Sequence, residues 1–166
     1  MDINYIALGT AALIPLIFGA IWYHNNVFGK VWMRVADMTE EKIRNANMPL
    51  ILGLTVFLSI LLSLALYTIV IHQSHIYSIL INEPALNNPD SELNIWIQDF
   101  MTRYGQNFKT FKHGTFHGFL ASILLAAPVI GINALFERKN YKYFLVNWGF
   151  WALCMTVMGG IICAYA

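Results

Sequence analysis

Four apolar segments of about 20 residues limit how this chain can fold more than any other feature. They cover about residues 5–23, 49–72, 113–135 and 143–165, and this is the length that a transmembrane helix needs. Only 11% of the residues are charged, whereas a soluble domain carries roughly 25%. We therefore predict an all-α fold: a four-helix transmembrane bundle that forms one integral membrane domain over residues 1–166.

Residues within the segments indicate where the helices bend and where they pack. Pro15 and Pro128 lie inside the first and third segments, and a proline removes one backbone hydrogen bond and so predicts a kink. Small residues at helical spacing allow a neighbouring helix to approach closely. They occur in the second and fourth segments as Thr55, Ser59, Ser63, Gly159 and Gly160.

The loops contain signals for short interfacial amphipathic helices. In residues 24–47, apolar residues recur at helical spacing, and Thr39 and Asn47 are suited to cap helices. The long loop, residues 73–112, has a further candidate cap at Ser91. After Ser91 comes an apolar stripe, which predicts a helix that lies along the membrane surface or caps the bundle. The stripe consists of Leu93, Trp96, Ile97, Phe100, Tyr104, Phe108 and Phe111.

The distribution of basic residues predicts the orientation in the membrane. Four spans place both termini on one side, and the two short loops lie on the other. Cytoplasmic loops carry an excess of Lys and Arg, so we expect cytoplasmic short loops, with the long loop and both termini extracytoplasmic. The short loops hold Lys30, Arg34, Lys42, Arg44, Arg138, Lys139 and Lys142.

The partners that we expect follow from charge and composition. A net charge of +1 gives no basic field for nucleic acid. The lipid bilayer is the predicted partner, together with further copies of the chain or the other subunits of a membrane complex.

Sequence patterns at the short loops carry a family resemblance. The first loop has Gly19-x-x-Trp22-Tyr23, Phe28-Gly29-Lys30-x-Trp32-Met33 and Thr39-Glu40-Glu41; the second has Asn133-x-x-Phe136-Glu137-Arg138 and Phe144-Leu145-x-Asn147-x-Gly149. In these patterns the chain resembles the bacterial membrane family catalogued as domain of unknown function 1761. The resemblance implies a small four-helix protein of the bacterial inner (cytoplasmic) membrane and carries no established activity.

Four histidines form the first candidate site. His113 and His117 are four residues apart on one helix face, a spacing that can present two imidazoles to one metal ion. His72 and His75 lie where the second segment ends, at the same side of the membrane. Neutral imidazoles suit zinc, copper or nickel. The alternative is that these side chains only pack and form hydrogen bonds at the interface.

A second candidate group lies near the short loops, and polar residues at such junctions are functional candidates. Asn147 stands inside an apolar run, where it would hydrogen-bond a facing helix or contact a ligand. Glu137 and Arg138 could form a site or an ordinary turn. The full group is Trp22, Tyr23, His24, Asn133, Glu137, Arg138 and Asn147.

Three functions remain open from the sequence. The leading hypothesis is a non-enzymatic membrane protein that binds or moves a small solute or lipid, or supports a membrane assembly. The alternative is a metal-binding membrane protein that uses the histidines, and the third is a lipid-modifying enzyme at Glu137 and Arg138. The chain lacks GxSxG, P-loop, HExxH and GxGxxG motifs, so no catalytic residue can be assigned.

Overall fold

The computed structural model describes residues 3–165, and over that range the chain folds into helices with no strand. Four of the helical segments are long and apolar enough to cross a membrane. We call them the first to fourth spans: Tyr5–Trp22, Met48–Val70, Phe111–Phe136 and Tyr141–Tyr165. The predicted all-α architecture with four membrane-spanning helices is confirmed.

The first span is interrupted near its proline. It consists of the helices Tyr5–Ala12 and Ile14–Trp22, which meet at Leu13. Pro15 lacks the N–H that would bond the carbonyl of Ala11, four residues earlier, so the regular ladder cannot continue through this point.

The third span changes its helical type just before its proline. Its consecutive parts are the α-helix Phe111–Ala121, the π-turn Ser122–Ala126 and the α-helix Ala127–Phe136. Pro128 cannot donate to Leu124. A π-helix is rare and occurs mostly as a single turn inside an α-helix, as it does here. The carbonyl of Ser122 accepts hydrogen bonds from the Ala127 N–H and from Trp148 Nε1, the second at 3.1 Å. The irregular turn is therefore tied to the fourth span.

The loops form the short helices that their capping residues indicate. Thr39, Asn47 and Ser91 each accept a hydrogen bond from a backbone N–H in the first turn of the helix that follows. These caps satisfy N–H groups that have no partner within the helix. The loop elements are the helices Gly29–Val35, Glu40–Arg44, Ser74–Ile79 and Glu92–Tyr104, and the 3₁₀ turn Pro84–Asn87.

The helix Glu92–Tyr104 of the long loop is amphipathic, as its sequence predicts. Ile97 is buried, whereas Trp96 on the predicted stripe is 56% exposed. Tyr104, Phe108 and Phe111 are also exposed. Most of the stripe therefore stays available to the membrane surface.

The fourth span is the centre of the bundle. Its most apolar window is 44% buried, against 17–28% for the other three spans. Met158 and Ile162 are fully buried and pack with Leu66 of the second span in one core cluster. The first span is fixed to the second by the buried Ser63, whose hydroxyl donates to the Leu8 carbonyl at 2.9 Å.

Glycines allow the third and fourth spans to touch along their backbones. A Cβ on Gly114 would overlap the carbonyl of Gly159, and one on Gly118 would overlap the carbonyl of Met155. A larger residue at either position would therefore push the two helices apart. This contact fixes the third span against the fourth. It thereby also fixes His113 and His117, each of which immediately precedes one of the two glycines.

Contacts between loops define two ends of the molecule. The carboxylate of Asp37 forms an ion pair with Lys139, which joins the two short loops; we call this the short-loop end. The long loop lies at the opposite end, where the Asn4 side chain donates to the Tyr165 carbonyl at 2.7 Å. We call this the long-loop end.

Candidate metal centre

Three of the predicted histidines meet at the long-loop end. His72 follows the end of the second span, and His113 and His117 occupy the first two turns of the third span. Gly114 and Gly118, beside these histidines in sequence, contact the fourth span. The glycines hold one face of the third span against the fourth, which leaves both imidazoles beside His72.

The distances within this group, which we call the tri-histidine group, suit a metal ion. The Nε2 atoms of His72 and His113 are 3.0 Å apart. One nitrogen from each of the three rings can be chosen so that all lie within 4.8 Å of one another. Imidazole nitrogens around tetrahedral zinc, each about 2.1 Å from the ion, are roughly 3.4 Å apart. Small rotations of the rings would therefore bring the three nitrogens to coordination distance.

The surroundings of His72 favour its neutral form. Partial burial, and then the neighbouring His113 and His75, hold the pKa of His72 below its ordinary value. In the hydrogen bond between His72 and His113, one Nε2 donates and the other accepts. The neutral ring is the form that binds metal.

His75 lies beside the tri-histidine group without joining it. Its Nε2 is 2.9 Å from the Thr68 carbonyl and donates to it, and its ring centre is 6.4 Å from that of His72. Within residues 3–165, no carboxylate or thiolate lies close enough to complete a larger donor set around the three imidazoles. The group therefore offers three protein ligands of one chemical type.

A cleft of about 360 Å³ adjoins the tri-histidine group on the side of His72. The Gln73 amide donates to the carbonyls of Gly105 and Asn107 at 3.1 and 2.8 Å. These hydrogen bonds hold the later part of the long loop against the end of the second span and so form one wall of the cleft. The lining residues are His72, Gln73, Ile76, Phe100, Tyr104, Asn107 and Phe108.

Phe108 borders both the cleft and the tri-histidine group. It lines the cleft, and its ring centre is 5.1 Å from that of His113. Its φ of 64° is unusual for an aromatic residue. The Phe108 carbonyl accepts from the N–H of Thr110 at 2.8 Å and lies 3.3 Å from the Cys163 thiol. These contacts hold the strained residue in place.

At the short-loop end, three of the predicted polar residues bond to partners within the protein. Trp22 Nε1 donates to the Val146 carbonyl at 3.2 Å, and the Tyr23 hydroxyl lies 3.4 Å from Asn147 Oδ1. The Asn147 amide donates to the Tyr143 carbonyl at 2.8 Å. Asn147 thus bonds within its own helix and contacts the residue that follows the first span.

The other four residues of that group are exposed and scattered around this end. His24 Nδ1 accepts from the Asn26 N–H at 3.2 Å within its own turn. Glu137 and Arg138 end the third span: Arg138 has a φ of 53°, and the following N–H donates to the Ala134 carbonyl at 2.8 Å. Such a left-handed residue is a usual helix terminator, so this pair forms the ordinary turn. Asn133 lies one turn before it.

A second cleft, of about 490 Å³, opens at the short-loop end. Tyr23 and His24 from the predicted group line it, together with Trp32 and the charged side chains of Glu40 and Arg44. Its charges have opposite signs, and none of these lining residues belongs to the tri-histidine group.

Sequence reasoning missed the residues that join distant parts of the chain. Asp37 and Lys139 are 102 positions apart, and nothing in the local sequence of either residue indicates the other. Gln73 and Phe108 were also missed, although Phe108 belongs to the apolar stripe that predicted the surface helix.

Fold and site together define a class of protein: a four-span helical membrane protein with a tri-histidine group at one end. The match of a family model to residues 6–163 then identifies the family. The chain belongs to the family described as protein of unknown function DUF1761, and the resemblance found in the sequence is confirmed. Neither the curated proteins nor the solved structures gave a match. The description of the family assigns no activity.

Proposed function

We propose that the protein binds a transition-metal ion at the membrane surface through His72, His113 and His117. The observation that carries this proposal is the meeting of three imidazole nitrogens within 4.8 Å of one another, two supplied by the third span and one by the residue that follows the second span. Zinc, copper and nickel are the ions that imidazole favours. This proposal is the alternative function considered from the sequence, a metal-binding membrane protein that uses the histidines.

The proposal includes a location. The basic residues of the short loops favour a cytoplasmic short-loop end by the positive-inside rule. The tri-histidine group at the long-loop end would then face the extracytoplasmic side of the bacterial inner membrane. A metal ion could reach it there from outside the cell, because His72 is exposed.

Metal content measures this function directly. The protein would be produced without a polyhistidine tag, reconstituted in nanodiscs, stripped with EDTA and titrated with zinc, copper(I), copper(II) and nickel. Native mass spectrometry would count ions per chain and report the oligomeric state. We expect one ion per chain in the wild type and none in a variant with His113→Ala and His117→Ala.

Two other histidines provide matched controls. His75→Ala removes an imidazole at the same end, and His24→Ala removes one at the opposite end; neither residue belongs to the tri-histidine group. Both variants should keep the ion. His72→Ala should lose it with little risk to folding, because His72 lies outside the spans. Equal metal content in the wild type, the double variant and His72→Ala would refute the proposal.

A specific observation favours lipid binding as a second candidate function. A groove of about 360 Å³, lined almost entirely by apolar side chains, lies between the second, third and fourth spans. Leu66, Val129 and Trp151 are among its walls, and a lipid acyl chain would fill it. Val129→Trp should displace a lipid that native mass spectrometry finds on the wild type, whereas Ile132→Trp, on the exposed surface of the same helix, should not.

The structure gives no such support for a lipid-modifying enzyme. That hypothesis depended on Glu137 and Arg138, which form the turn that ends the third span.

A further inference from the structure

The tri-histidine group leaves one coordination position free on a four-coordinate ion. Structural zinc sites have four protein ligands, whereas sites that act on another molecule have three and keep one position open. His75 does not supply the fourth ligand, because it lies outside the group: its ring centre is 6.4 Å from that of His72. The following inference rests on the proposed metal binding and concerns what occupies that open position.

Charge favours an anion at this position. Three neutral imidazoles leave the full charge of a divalent ion uncompensated, and within residues 3–165 no carboxylate belongs to the group. At the edge of a membrane such a charge is poorly screened. A negatively charged oxygen donor would coordinate the ion and neutralise part of its charge.

The neighbouring cleft indicates what the rest of the ligand is like. His72 belongs both to the tri-histidine group and to the cleft wall, so the cleft begins directly beside the proposed metal ligands. The cleft holds about 360 Å³, and aromatic rings dominate its walls. Phe100 and Tyr104 lie with ring centres 5.1 Å apart. The lining therefore suits an apolar body much better than a second charged group.

We infer that the site takes a small carboxylate with an aromatic or similarly apolar body. Its carboxylate occupies the open position on the metal ion, and its body lies in the cleft against Phe100, Tyr104 and Phe108. The Gln73 amide does not need to bond this ligand, because it already donates to two carbonyls of the long loop.

Cobalt(II) and two simple anions test the inference. Cobalt(II) replaces zinc in imidazole sites, and its visible spectrum changes when a ligand binds to the ion. Acetate and benzoate share the carboxylate and differ in the apolar body. Titration of the cobalt-loaded protein should show saturable binding of both, with benzoate about tenfold tighter, since burying a ring against apolar walls is favourable.

Variants of the cleft locate the source of that preference. Phe100→Ala should reduce the benzoate preference severalfold and leave acetate binding unchanged. Ile95→Ala, at an exposed position of the same helix outside the cleft, should change neither. Tyr104→Phe should also keep the preference, because the ring rather than the hydroxyl forms the wall.

The outcomes separate this inference from the proposed function. Bound cobalt with a spectrum that neither anion changes would overturn the inference and leave metal binding intact. Equal affinity for acetate and benzoate would show coordination without a role for the cleft, and would likewise overturn it. A wild-type protein that binds no cobalt would refute the metal site and the inference together.

Discussion

The polar side chains at the two ends of this bundle have different hydrogen-bond partners. At the short-loop end, Trp22 and Tyr23 bond to the fourth span, and Asp37 pairs with Lys139. At the long-loop end, the hydrogen-bond partner of the His72 ring is another histidine of the same group. A polar side chain that hydrogen-bonds to its own protein usually has a structural role. Histidines whose partners are mainly one another can instead bind a ligand from solution. The comparison therefore separates the bonded contacts of the short-loop end, which we call the clamp, from the proposed metal site at the long-loop end.

The largest expected effect comes from the helix packing on which the proposed metal site depends. Gly118→Leu should destabilise the fold by about 3 kcal/mol, because the new side chain meets the Met155 backbone, which cannot move aside easily. It should also abolish metal binding by displacing His117. Thermal unfolding in detergent would measure the stability, and metal titration the site.

Gly53 provides the control for this substitution. It lies in the second span, and within the described residues no neighbouring atom comes within 4 Å of the place that a Cβ would take there. Gly53→Leu should therefore have little effect. Similar stability of the two variants would show that the glycine contact does not hold the third span in place.

Metal should stabilise the long-loop end and leave the clamp at the other end unaffected. At a zinc concentration about 100 times the dissociation constant, binding should stabilise the folded state by about 2.7 kcal/mol. The unfolding midpoint should rise with zinc and fall back with EDTA. His72→Ala should remove this response, and a zinc response that survives in that variant would place the binding site elsewhere.

The clamp at the short-loop end should contribute stability alone. Tyr23→Phe removes the hydrogen bond to Asn147 Oδ1 and should cost about 1 kcal/mol of unfolding free energy, with no change in metal affinity. Tyr141→Phe, at an exposed position of the same end, is the control. A large loss of metal affinity in Tyr23→Phe would contradict the division of roles between the two ends.

The smallest effect concerns the ion pair between the short loops. The hydrogen bond and the positive charge of Lys139 hold the pKa of Asp37 below its ordinary value of 3.8. The folded state therefore gains stability from the ionised carboxylate at neutral pH, and that gain is lost as the pH falls below 3.8 through the lowered pKa.

Asp37→Asn tests this pair. The variant should lack that part of the acid-induced loss of stability, and high salt should reduce its difference from the wild type, since both partners reach the solvent. A difference between variant and wild type that stays the same from pH 7 to pH 2 would exclude a role for the ionised carboxylate.

Much of the fold follows from signals that act over a few residues. Thr39, Asn47 and Ser91 cap the helices expected of them, because a capping side chain bonds N–H groups of the next turn. Pro15 and Pro128 mark the interrupted spans for a similarly local reason, since each lacks one backbone donor. The candidate site was predicted less completely: four histidines were expected together, and three meet while His75 bonds Thr68.

The sequence by itself determined the four spans, their irregular points and the histidine spacing on the third span, because hydrophobic length and backbone hydrogen bonding are local properties. Only the tertiary structure decided which side chains meet. His72 and His113 are 41 positions apart and Asp37 and Lys139 are 102 apart. Their contact depends on how the helices rotate and how closely they approach. For the third and fourth spans the glycine contact sets that approach, because it leaves no room for a Cβ between the two backbones.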